Sequence, residues 1–167
     1  MLKLIMDKAT LDRHLAYTSW ATNHLLRAVA SLPPEHLTHD FKTGDRTITN
    51  TLAHIFGADR IWLDRLLGRH RSVLIEDRDR DLALLNEEWP KLLNAWREWL
   101  GAFDEAHLNE PISYRDMAGN PHQSLPGEIV FHVVNHGTHH RGQVSGFLRA
   151  LGYTPPPIDL IRFYRGL

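Results

Sequence analysis

Proline and glycine punctuation divides this sequence into four long stretches in which apolar side chains return every three or four positions. Such a chain is largely restricted to packing helices side by side. The first stretch runs from about Asp7 to Leu32, with Leu11, Leu15, Leu25, Leu26 and Val29 on one face, and Pro33-Pro34 stop it. Thr47 is placed to cap a second, in which Ile48, Leu52, Ile55, Phe56, Trp62, Leu63 and Leu66 share a face as far as Gly68. A third spans about Asp81 to Phe103 with a bend expected at Pro90, and a fourth runs from Pro126 to Gly152. Between them, ISYRDMAGNPHQS around Gly119-Asn120 reads as a small hairpin-like connector. The tail after Gly152 opens with a proline run and ends in an apolar segment expected to pack on the helices. The expected fold is all-α, an antiparallel four-helix bundle with a hairpin connector before the fourth helix, formed as one domain over 1–167.

Composition narrows the function. The 167 residues are 43% hydrophobic and 23% charged, as in an ordinary folded domain. Lys and Arg number 19 against 20 Asp and Glu, so the net charge of −1 gives no general attraction for nucleic acid. The absence of cysteine excludes disulfides, zinc ribbons, iron-sulfur clusters and a cysteine nucleophile, leaving nitrogen and oxygen as metal donors. No segment has the apolar length of a membrane span and MLKLIMDKATLDRHL lacks the pattern of a secretory leader, so a cytoplasmic location is expected.

The departure from the ordinary is histidine: twelve in all, five of them between His122 and His140. Residues four apart on a helix are offset by only about 40° and lie about 6 Å apart, so a pair can reach one ion. His132, His136 and His140 form such a ladder with His139 close by, and spacing alone leaves several pairs open. The wheel separates them. The apolar centre of the fourth helix lies roughly 75° from His136; His140 falls inside the stripe and His136 at its edge, while His132 and His139 lie roughly 115° or more away. His136 and His140 are therefore the pair aimed into the bundle. A third ligand must come from another helix. His54 is the candidate on the second, although the wheel turns it roughly 140° from that helix's apolar centre, beside Thr51, Ala58 and Ile61. Asp59 falls within the same stripe, where a carboxylate needs a partner, and Arg141 is the expected one, in a structural pair ahead of a role in reaction. Asn50, one turn before His54, either orients a ligand or bound water or is a helix-surface residue.

Tyr17-x-x-Trp20-Ala21-x-Asn23, Thr47-Ile48-x-x-Thr51-Leu52-x-His54-Ile55 and Asn135-His136-x-x-His139-His140-Arg141-Gly142-Gln143 closely resemble the DinB/YfiT-like family. That family is unrelated to the DNA polymerase of the same name. The resemblance runs from about residue 10 to Pro157-Ile158-Asp159-Leu160. It implies a divalent metal on one histidine of the second helix and two of the fourth, which are His54, His136 and His140 here; His132 and His139 have no ligand counterpart, and His132 would support a ligand from outside the set. It also implies a homodimer. Three imidazoles and an open position describe a catalytic site, for which zinc or nickel is suited and iron compatible. The leading expectation is a transferase that activates a low-molecular-weight thiol towards small electrophiles. The alternatives are metal-dependent hydrolysis of a small-molecule substrate and a non-enzymatic, stress-induced metal-binding or scaffold protein.

Overall fold

The computed structural model describes residues 7–167; residues 1–6, on which the reading of the N-terminus partly rests, lie outside the described residues. In chain order the elements are α1 (Lys8–Ala30), the single turn α2 (Pro34–Leu37), α3 (Ile48–Leu66), α4 (Leu82–Ala102), the hairpin strands β1 (Ile112–Arg115) and β2 (Pro121–Ser124), α5 (Pro126–Ala150) and the short α6 (Leu160–Tyr164). Two 3-10 turns, Asp77–Arg80 and Glu105–Asn109, bracket α4.

Local chemistry sets the helix starts. Asp7 accepts the Thr10 N–H at 2.7 Å, Thr47 accepts the Asn50 N–H at 3.0 Å and Asp81 accepts the Ala83 N–H at 2.8 Å, each satisfying a donor that a helix start leaves free. Pro126 opens α5 where its missing N–H costs nothing. Helix α4 continues through Pro90 without interruption. In the connector, Gly119 takes a φ of +89°, and Asp116 gathers the Asn120 N–H at 2.8 Å to close the turn.

The expected bundle and hairpin connector are both present, and the core shows how the helices run. One apolar cluster joins the end of α1 (Leu25, Val29) to the starts of α3 (Ile48, Leu52) and α4 (Leu85, Trp89) and the end of α5 (Phe147, Leu148). The other joins the start of α1 (Leu11, Leu15) to the ends of α3 (Leu63) and α4 (Trp96, Leu100) and the start of α5 (Ile129, Val133). The order is therefore up-down-down-up: α3 with α5 and α1 with α4 are antiparallel neighbours, while α1 and α5, like α3 and α4, run the same way. Residues 67–81 make this possible by returning along the bundle from the end of α3 to the start of α4. They lie tight on α3 at Gly57, where a Cβ would come within 2.2 Å of the Leu74 carbonyl oxygen. The tail packs as expected, with Leu160 and Phe163 against the second cluster and the Tyr17 hydroxyl donating to the Ile158 carbonyl at 3.0 Å. No described helix is long and apolar enough to cross a membrane.

Candidate metal centre

Helices α3 and α5 share the most extensive helix contact in the bundle, and all three histidines singled out in the sequence meet across it. His54 Nε2 lies 2.9 Å from His136 Nε2, and the His140 ring is centred 4.4 Å from both other imidazoles. One donor nitrogen from each lies within 4.8 Å of the others. A tetrahedral ion with bonds of about 2.0–2.1 Å holds such nitrogens about 3.3 Å apart, inside the range these rings span. The set is half sheltered, with the His54 side chain 23% exposed and that of His140 13%.

His54 is half-buried here, facing α5 against the direction its wheel gave, and the reason lies in its neighbours. Thr51, Ala58 and Ile61, on the same side of α3, are all buried. Two of them are small or weakly apolar, so they hardly move a centre computed from bulky side chains, yet small residues are what allow two helix backbones to approach closely.

Electrostatics favours the neutral form of His136 and His140. Burial pulls His136 down to about 3, and the neighbouring His140, His54, His132 and His139 add to the effect. His140 is lowered first by burial, with its bond to Gln143 opposing. That bond also fixes the tautomer: His140 Nδ1–H donates to Gln143 Oε1 at 2.8 Å, which leaves a lone pair on Nε2. Two Nε2 atoms meeting at 2.9 Å, as in His54 and His136, have one proton to share between two lone pairs; a cation would take both. Converging imidazole donors of this kind fit a borderline divalent ion such as zinc or nickel.

Asp45, which the sequence reading passed over, lies behind the rings, with its carboxylate oxygens 3.9 Å from His54 Nδ1 and 3.8 Å from His140 Nδ1. A short loop with positive φ at Lys42, Gly44 and Arg46 carries it there. Asn50 contributes through this loop: its amide donates to the Asp45 carbonyl at 3.2 Å and its oxygen accepts from Arg80 Nε at 3.2 Å, and it bonds to none of the imidazoles. Gln143 was also missed as a supporting residue, although its position three residues after His140 places it on the same helix face. His132 stays outside the set, exposed, with its ring centre 5.8 Å from that of His136 and edge-on to Trp62.

The expected pairing of Asp59 with Arg141 is corrected. No ion pair within 4.0 Å joins them; the Trp89 indole N–H donates to Asp59 Oδ2 at 2.8 Å, and Trp96 donates to the Asp59 carbonyl at 3.0 Å. Asp59 thus faces α4, whereas Arg141 lies over Gly137, donating to Thr138 Oγ1 at 3.1 Å and to Thr22 Oγ1 at 3.4 Å. Burial pushes the Asp59 carboxyl up to about 7, partly opposed by the Trp89 bond and by the more distant Arg141 charge. Neither residue bonds to the triad.

The family model of the DinB family matches residues 6–166. The chain is also similar to the protein DinB of Bacillus subtilis (strain 168), 28% identical over 149 residues that cover 86% of this chain and 87% of that protein.

Proposed function

Since the chain belongs to the DinB family, we propose that it is a metal-dependent transferase in which His54, His136 and His140 hold a divalent ion, zinc or nickel by preference, and a low-molecular-weight thiol is directed at small electrophiles. The observation that carries this reading is the convergence of three imidazoles with no fourth histidine, cysteine or carboxylate donor grouped with them among the described residues. A structural site uses protein for all its ligands, and an open position serves chemistry. When bound, the ion supplies a Lewis acid that lowers the pKa of a thiol or water at that position.

The chain's own residues do the rest. Gln143 fixes the His140 ring from behind through its hydrogen bond, and the Asp45 carboxylate faces the Nδ1 edges of His54 and His140. His132, exposed beside the set with its ring centre 5.8 Å from that of His136, is placed to accept the proton a thiol gives up. With no cysteine in the chain, the sulfur has to be brought by the substrate.

A direct test incubates metal-loaded protein with glutathione, bacillithiol and simpler thiols against a panel of alkyl and epoxide electrophiles and follows thiol consumption. The expected result is acceleration over the metal alone that disappears in His54→Ala. No acceleration for any pair would sink the transferase reading. Hydrolysis is the second reading, favoured by one observation, the Asp45 carboxylate at the edge of the triad. Ester turnover lost in Asp45→Asn, with no thiol conjugation, would select it.

A further inference from the structure

The α3–α5 face continues beyond the triad as a row of rings. From His136 the row passes to His132, then to Trp62 at 5.0 Å between ring centres, and on to Tyr114 of the hairpin at 5.4 Å. Arg65 closes it, its guanidinium carbon 4.3 Å from the Trp62 ring centre and 5.2 Å from that of Tyr114. The Arg65 guanidinium, half-buried, makes no hydrogen bond and no ion pair within 4.0 Å among the described residues. The nearby Asp116 is committed elsewhere, to the Asn120 backbone and side-chain amides and to His122.

Arg65 also lines a hollow of about 310 Å³ together with Arg69, His70, Ser113, Tyr114 and Arg115, and no acidic residue is among its walls. The other two guanidiniums are thinly partnered. Arg69 lies 3.8 Å from an Asp64 carboxylate that Arg71 holds at 2.8 Å, and Arg115 donates only to the Gly119 carbonyl. In a chain whose net charge is −1, three guanidiniums around one hollow are a local reversal of sign. Arg65 is half-buried over the rings while Arg69 and Arg115 are exposed, so all three can turn to a ligand in the hollow, and the planar guanidinium fork matches carboxylate and phosphate oxygens.

We infer that this hollow is a subsite for the carboxylate- or phosphate-bearing end of an elongated substrate or thiol, whose reactive end lies at His54, His136 and His140 and whose middle crosses Trp62 and His132. The inference rests on the reading of the triad as a reaction centre and names the class of molecule that centre takes: small organic anions with charge and reactive atom at opposite ends.

The test is calorimetric titration of the full chain as purified with S-methylglutathione, its dimethyl ester and phenyl phosphate. The first probe carries carboxylates and no free thiol, the second has the carboxylates blocked, and the third offers a phosphate. The expected result is saturable binding of S-methylglutathione, phenyl phosphate or both that weakens as salt rises. It should fall at least tenfold in Arg65→Gln and Arg115→Gln, with Arg65→Lys between, and a carboxylate site would bind the diester at least tenfold more weakly than the diacid. The inference is overturned if neither anion binds, or if binding is the same in all three variants, with unchanged melting temperatures showing that the variants fold. Because no probe has a free thiol, failure of thiol conjugation alongside intact anion binding retires the transferase reading and leaves the subsite standing.

Discussion

Asp59 is the residue whose surroundings and charge are most at odds. Its folded carboxyl holds a proton up to about 7, while the unfolded chain releases it near 3.8. Between those values the folded state binds more protons, so each rise in pH favours the unfolded state until the carboxyl is fully ionised. Asp59→Asn keeps an acceptor for the Trp89 indole and removes the charge. The stability of the variant relative to the parent, both metal-free, should therefore increase from pH 5 to pH 8, as read from urea midpoints at each pH. A difference that stays flat or shrinks would mean Asp59 is ionised throughout, with Arg141 as its effective counter-ion. Residues also mark the limit of sequence reading. Four-residue spacing and the wheel identified His136 and His140 because they depend on one helix alone. The direction of His54 depended on which side of α3 another helix would approach through small side chains, and the resemblance supplied what periodicity lacked. Asp45 sits in a loop held by positive φ values, where no period exists to mark it.

Among the elements, the four helices and the hairpin were legible because 3.6-residue periodicity, caps and turn residues are local signals. Their order around the bundle was not, because it is decided by the path of residues 67–81, which carry no periodic pattern. Gly57 is the residue that admits this path. A Cβ pressed within 2.2 Å of the Leu74 carbonyl must displace backbone, so Gly57→Ala should lower stability by about 3 kcal/mol despite the better helix propensity of alanine. Denaturant unfolding measures this directly. A neutral or stabilising result would show that the crossover moves freely away from α3, and the up-down-down-up order would then need another explanation.

Across the whole molecule, the triad joins parts of the chain 82 residues apart, from His54 to His136. A ligand that binds only the native arrangement stabilises it by mass action, about 2.7 kcal/mol at a hundred times its dissociation constant. For a domain of this size that raises the melting temperature by about 5–10 °C. Stripping metal with a chelator should reverse the rise, and His54→Ala should show none. If melting is indifferent to zinc and nickel and elemental analysis finds neither bound, the metal-centre reading falls with it.

The bundle order also bears on how the chain is made. The principal neighbours of α1 are α4 and α5, so this helix leaves the ribosome before either partner and finds neither until residues beyond Leu82 have followed. Through that interval Leu11, Leu15, Leu25 and Val29 have nothing to pack against except α3, which is equally incomplete. The nascent chain must therefore carry the apolar face of α1 unpaired while at least residues 31–82 are made, which makes it a natural client for chaperones that shield such surfaces.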